Sequence, residues 1–342
     1  MKPKRHIIPV FVPHLGCPND CVFCNQRRIS GILEPAAPGT VRRVIKNIQE
    51  MPDEAEKQLA FYGGSFTAIP VCQQKALLEA AQPFLTKHKN ASLRISTRPD
   101  HIDEETLRRL SHDGVATIEL GAQSMSDEVL AATGRGHTAQ DVVNAARLIK
   151  RSGFELILQM MTGLPGDTPD KSVDTAEKLI ALEPDGVRIY PAVVIRDTKL
   201  HDMWRKGEYA EHTVEDAVSL CAVICELFEK ANIPVIRLGL NPTEDLSGGD
   251  AICGAYHPAL GALVQSRVYL NRARQLLRGR GDTMKIKRLT LGVPQGRVSA
   301  MTGHRRSNIE ALEREFGIAR VSVAAVDAAE QEIVIMSIEN EM

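Results

Sequence analysis

The chain has 342 residues, 43% apolar and 25% charged, with a formal net charge of −1. This is an ordinary soluble globular profile, long enough for one large domain and a small one. No apolar run reaches the ~18 residues of a membrane span, so no membrane partner is expected. Residues 1–15 are basic and then apolar, but Pro9 and Pro13 interrupt the run and no small-residue cleavage site precedes Cys17. Seven cysteines without a pairing framework suit a reducing cytoplasm.

Short β-rich runs alternate with helical stretches as far as residue 240. Strands are expected at Ile7–Val12, Leu59–Tyr62, Leu93–Thr97, Thr117–Leu120, Leu156–Met160 and Gly186–Tyr190, with a seventh candidate at Pro234–Leu238. Thr40, Asp103, Ser126, Thr138 and Thr213 stand where helix N-caps would, several with an acid in the first turn. Alternation of this kind predicts an α/β fold with parallel strands and helices outside. Six such units make a partial (β/α)6 TIM-like barrel over residues 1–240, with its chemistry at the C-terminal strand ends.

The pattern then changes. Asn241–Gly254 is rich in Gly, Pro, Asn, Asp and Ser and reads as a loop, followed by a helix from Pro258 to Leu277. Residues 241–280 are expected to be a connecting or lid segment. A small α/β domain fills 281–342: strand Arg288–Val293, a short helix, helix Asn308–Phe316, and strands Ala319–Val323 and Glu332–Ile338. From Arg267 to Arg306 eleven Lys and Arg face one acid, Asp282; that local +10 leaves −11 for the rest.

The most informative run is Gly16-Cys17-Pro18-Asn19-Asp20-Cys21-Val22-Phe23-Cys24. A C-x3-C-x2-C run puts three thiolates on one tight loop, and thiolates hold iron–sulfur clusters. A structural zinc site is the alternative, but it usually takes four ligands from paired clusters. Neither a second C-x2-C nor a His pair at finger spacing appears. At the end of the second strand, Tyr62-Gly63-Gly64-Ser65 allows close backbone approach. Cys221 and Cys225 lie four apart on a helix and read as small buried apolar residues, whereas Cys253, in a segment that also carries His257, is a candidate lid residue.

The cysteine run, with Phe23 before its third cysteine, resembles the signature of the radical S-adenosylmethionine (radical SAM) enzymes. The resemblance implies a 4Fe-4S cluster on Cys17, Cys21 and Cys24 whose open iron chelates S-adenosylmethionine (SAM), and reductive cleavage of SAM to a 5′-deoxyadenosyl radical. It also implies a one-electron donor such as flavodoxin or ferredoxin. Gly63, Gly64 and Ser65 would hold the methionine end of SAM. Segments Thr97–Asp100, Glu119–Ser124, Arg135–Thr138, Gln159–Pro165 and Ile189–Tyr209 resemble, in this order, the radical SAM domain of the third, catalytic subunit of Elongator, which modifies wobble uridines of tRNA. By that resemblance Glu119 and Gln123 face the SAM ribose or substrate, and Gln159 and Tyr190 line the mouth. Arg98, Arg135 and His137 are candidates for carboxylate or phosphate; the structural alternatives are an Arg98–Asp100 pair that fixes a loop and a His137 that orders the start of the helix capped by Thr138. Gln123, Gln159, Tyr190 and His257 are the candidate catalytic residues.

Two features depart from the Elongator pattern. The cysteine spacing is the compact one of radical SAM enzymes generally, and the sequence ends at residue 342 without room for an acetyltransferase domain. Carboxymethylation of uridine by this chain unaided is therefore not expected. In the tail, Val293–Glu310 resembles a KH-type RNA-binding core, with Gly303 as first glycine of the G-x-x-G loop and Arg306 or Ser307 in place of the second. Arg297, Gly303, His304, Arg305 and Arg306 are its candidate RNA contacts. RNA, above all tRNA, is the expected substrate. The alternative is a small molecule, since Gly121–Ser124 also resembles a segment of oxygen-independent coproporphyrinogen oxidases.

Overall fold

Seven parallel strands form one curled half-barrel sheet in a computed structural model that describes residues 5–33, 36–48, 55–279, 285–329 and 332–340. The strands are β1 (Arg5–Phe11), β2 (Glu56–Tyr62), β3 (Ala91–Thr97), β4 (Val115–Gln123), β5 (Glu155–Thr162), β6 (Gly186–Pro191) and, after a three-residue β7 (Val193–Ile195), β8 (Val235–Leu238). Their order in the sheet is β1-β2-β3-β4-β5-β6-β8. The seventh candidate strand is thus a full member, one more than the six units expected.

Helices cover the outside because their apolar residues fall on one stripe. Helix Ala139–Arg151 buries Val142, Ala145, Ala146 and Ile149, the i, i+3, i+4, i+7 positions. Against such stripes the strands set fully buried Leu59, Leu93, Ile118, Leu158 and Ile189, each contributing about 1.5–3 kcal/mol of burial. Asp103 and Thr138 cap helices as expected, Thr138 through a reciprocal capping box with Asp141. Thr40 does not: Pro38 takes the first turn of helix Pro38–Lys46, which moves the cap to Ala37.

The segment 241–254 is more ordered than a loop. It holds a helical turn, Leu246–Asp250, and β9 (Ala251–Gly254), which pairs antiparallel with β7. Among the described residues no helix is long and apolar enough to cross a membrane.

The chain divides into two compact units, residues 1–213 with 227–258, and 214–226 with 259–342. The segment 241–280 is therefore shared between them. The second unit contains helix Leu260–Arg278, β10 (Ile286–Pro294), helices Val298–Thr302 and Ser307–Phe316, β11 (Arg320–Val326) and β12 (Val334–Asn340). Its sheet runs β11-β10-β12, parallel on one side of β10 and antiparallel on the other. Its core joins Tyr269 and Ala273 to Leu289, Leu291, Met301 and Leu312. The link 280–284 lies outside the described residues.

Candidate active site at the mouth of the half-barrel

Past the end of β1 the chain turns sharply into the cysteine loop, with His14 at φ 56° and Gly16 at φ 73°. The His14 ring accepts from the backbone N–H of Gln26 at 3.0 Å, tying the start of the loop to its end. The turn from Asn25 into helix Gln26–Ser30 closes it, Asn25 accepting from Arg28 N. Cys17 is exposed, Cys21 buried and Cys24 between the two. Gln26 Nε2 and Arg135 Nη1 each donate at 3.4 Å, to Cys24 Sγ and Cys21 Sγ respectively. Burial pushes the Cys24 thiol up to about 12, and the neighbouring Cys21 and Cys17 add to that. Burial raises Cys17 too, with Cys21 adding to it.

Cys17 and Cys24, whose anionic forms are penalised by burial and by neighbouring thiols, belong to a site that cations stabilise. Among the described residues no three His, Cys, Asp or Glu side chains converge on a single metal ion. The thiols instead share the wall of one cavity of about 450 Å³. Three thiols on the wall of one cavity fit a thiolate-held iron–sulfur cluster.

The Gly-Gly turn after β2 packs directly on this loop. A Cβ on Gly64 would stand 2.3 Å from Leu15 O and 2.6 Å from Val12 O, and one on Gly16 would stand 2.2 Å from Ser65 O. These glycines let two backbones touch. Gly63 and Gly64 also line the cavity. Ser65 does not: it is fully buried, and its hydroxyl is spent on Thr97 at 3.1 Å.

Deeper in the cavity the inward side chains of β2 to β6 form one ionic network. Glu119 Oε1 accepts from Arg94 Nη1 at 2.6 Å, from Arg188 Nη2 at 2.8 Å and from the Tyr62 hydroxyl at 2.8 Å. Its Oε2 accepts from Gln159 Nε2 at 2.8 Å. Glu119 and Arg94 are 0% and 1% exposed, so the carboxylate is fully occupied by protein donors. Burial and the Glu119 charge raise the Tyr62 hydroxyl, and burial raises that of Tyr190, above the usual phenol range. Gln123 ends β4 at a bulge with φ 65°, a conformation L residues rarely adopt, and lines the cavity. Tyr190, Gln159, Glu119 and Phe23 line it as well.

Arg98 pairs with Asp100 through two bonds, at 2.9 and 2.8 Å, and donates to Arg135 O at 2.5 Å. It thus fixes the loop that carries Arg135. His137 lies outside the cavity lining, buried against Ala122 O, and burial lowers it to about 4. His257 is exposed and Cys253 half-buried, and neither is part of the lining. Burial and Glu211 push the Cys253 thiol up to about 12. The sequence reading missed Tyr62, Arg94, Arg188 and Arg237 as functional. For Arg94 and Arg188 the available signal was a charge in the middle of a strand whose neighbours are buried and apolar. In the second unit, His304, Arg305 and Arg306 are exposed, with Arg305 at φ 50° and Arg306 at φ 66°.

The fold and the thiolate-lined mouth define a class of cluster-dependent half-barrel enzymes. The sequence profile of the Radical SAM superfamily matches residues 11–179, and that of the Radical SAM C-terminal domain matches residues 184–270. An uncharacterized protein of Methanocaldococcus jannaschii is 31% identical over 240 residues, which cover 67% of this chain and 72% of that protein. The chain belongs to the radical SAM superfamily; it is an enzyme, and its cofactors are a 4Fe-4S cluster and SAM. A tRNA uridine(34) acetyltransferase of Methanocaldococcus infernus is 32% identical over 181 residues, 52% of this chain. This match spans only 34% of that protein's length. The solved structure of an archaeal Elp3 from the same organism, with an N-terminal deletion, superposes with a TM-score of 0.61 at 23% identity. It covers 80% of this chain and 64% of that one, a likeness of fold.

Proposed function

We propose that this radical SAM enzyme modifies RNA, in the first place tRNA. The observation that carries the reading is the mouth itself, an open cavity whose lining includes Arg98, Arg135, Arg188 and Arg237 against the carboxylates Asp20 and Glu119. Such a mouth suits a polar, anionic substrate. The name of the relative from Methanocaldococcus infernus, and the exposed basic turn at Gly303–Arg306, agree with it.

Cys17, Cys21 and Cys24 would hold the cluster, which when bound would supply the electron for reductive cleavage of SAM. The other roles belong to this chain's own groups. Gly63 and Gly64 present bare backbone to the methionine end of SAM. Gln123 offers its amide from a strained strand end, and Gln159 and Tyr190 border the space left for substrate. Glu119, held by four donors, orients Gln159 and Tyr62 and does not contact substrate through a free oxygen. The electron comes from a donor of the flavodoxin or ferredoxin type in a reducing cytoplasm. In the second unit, Arg297, Gly303, His304, Arg305 and Arg306 contact the RNA backbone.

The test is anaerobic. Reconstituted protein receives reductant and SAM, and 5′-deoxyadenosine is quantified with and without bulk tRNA. Stimulation by tRNA supports the reading, and nucleoside mass spectrometry then finds the product. Cleavage that tRNA leaves unchanged overturns it and moves the search to small molecules such as tetrapyrroles.

A further inference from the structure

We infer that Arg237 is the anion anchor of the substrate, gripping a phosphate or carboxylate at the β8 side of the cavity. Resting on the reading of this cavity as the substrate site, it adds the group by which substrate is recognised. Arg237 sits on β8, the edge strand opposite β1 in the sheet order. Its register partner is Arg188 on β6, so two guanidinium groups stand side by side on adjacent strands.

Their circumstances differ. Arg188 is bonded to Glu119 at 2.8 Å and to the Tyr62 hydroxyl at 3.0 Å. Arg237 spends its Nε on the carbonyl of Gly239 at 2.9 Å, and among the described residues no carboxylate pairs with it. It lines the cavity beside Leu240, Asn241 and Thr243. Burial and the like charge of Arg188 both disfavour its cation. A half-buried guanidinium that pairs with no acid among the described residues, next to a second guanidinium, is stabilised by an incoming oxyanion. Its planar fork of donors matches phosphate and carboxylate alike. In an RNA substrate the group is a backbone phosphate near the reacting nucleotide; in a small metabolite it is a phosphate or carboxylate.

Binding to reconstituted, SAM-loaded protein tests this directly. Equilibrium dialysis with inorganic phosphate, acetate, uridine and uridine 5′-monophosphate is run on wild type, Arg237→Gln and Arg237→Lys, alongside filter binding of bulk tRNA and dialysis of SAM. Iron content and thermal midpoint report folding. The expected result is that wild type prefers uridine 5′-monophosphate to uridine. Arg237→Gln then weakens the anionic probes by about tenfold or more, Arg237→Lys restores part of the loss, and SAM binding stays the same. If tRNA binding falls with the anions, the source is RNA phosphate. If the anions depend on Arg237 but wild type does not bind tRNA, the anchor stands and the RNA reading falls. Anion binding unchanged in Arg237→Gln, or lost only together with SAM binding, overturns the anchor, while tRNA binding by wild type would leave the RNA reading in place.

Discussion

Cys24 and Cys253 are two half-buried thiols pushed up to about 12 by burial, and the difference between them is their company. Cys24 faces a cavity shared with two other thiols, whereas Cys253 lies outside it beside the Glu211 carboxylate. Cys24→Ala is therefore expected to lose most of its reconstituted iron and sulfide and its SAM cleavage, and Cys253→Ala to keep its iron. Anaerobic iron and sulfide analysis decides between them. A second residue-scale expectation concerns Glu119. Removing it by Glu119→Ala leaves Arg188 without a carboxylate partner and Arg94 with only Glu155, at 3.7 Å, at a cost of about 3 kcal/mol. Urea unfolding of the cluster-free protein measures it, and a loss below 1 kcal/mol would show that water reaches the network.

His137 carries a pH dependence of definite sign. Unfolded imidazole takes up a proton as pH falls through about 6.5, while the folded one, buried and facing Arg135 and Arg98, waits until about 4. Between those values the unfolded chain binds more protons, so stability drops as pH falls through that window and is restored above it. The size is about 3 kcal/mol across the window. Urea midpoints of cluster-free protein at pH 7 and 5 are expected to differ in wild type and to differ less in His137→Gln, where His14, also lowered by burial, leaves a remainder of the same sign.

At the scale of elements, the contact between the Gly-Gly turn and the cysteine loop decides whether the site assembles. Gly64→Ala puts a methyl against two carbonyl oxygens of the loop, at 2.3 and 2.6 Å, so one backbone must move. Overpacking of this kind costs about 1–3 kcal/mol, and here the loop takes the displacement. The expected result is a lower thermal midpoint together with reduced iron loading. Gly153→Ala, with φ 83° but open space around its Cβ, would lower stability through backbone strain and keep its iron.

The strands were legible because each carries apolar β-branched, Leu or aromatic residues between turn-rich segments, and every expected strand falls on a strand of a sheet. What escaped has physical reasons. β7 and β9 are three and four residues long, too short for a period to show, and β9 follows a glycine-rich turn that looks like pure loop. Thr40 was misplaced because Pro38 competes for the helix start. The Glu119 network escaped because Arg94 and Arg188 find their partner on another strand, a pairing that no local spacing encodes. The cysteine and glycine motifs were readable since their chemistry is local to a few consecutive residues.

For the whole molecule the charge distribution matters more than the total. A net charge of −1 conceals +10 between Arg267 and Arg306, and the exposed turn Gly303–Arg306 stands at the end of that stretch. Gly303 has φ 79°, and a Cβ there would lie 2.6 Å from Ser307 Oγ and 2.8 Å from Asn308 N, so only glycine fits. Arg306 has φ 66° with a full side chain, a left-handed conformation that costs about 1–2 kcal/mol outside glycine. A glycine at 306 would relieve that strain and remove one exposed positive charge. Arg306→Gly thus moves two observables in opposite directions if the turn contacts RNA. Thermal stability rises by an amount equivalent to about 1 kcal/mol. Affinity for tRNA falls, and the slope of log K against log salt shrinks by about one. A stability gain with unchanged affinity and slope would assign the turn to folding alone and leave RNA recognition to the mouth of the half-barrel. A loss of both would mean that the Arg306 side chain, more than its charge, holds the turn in shape.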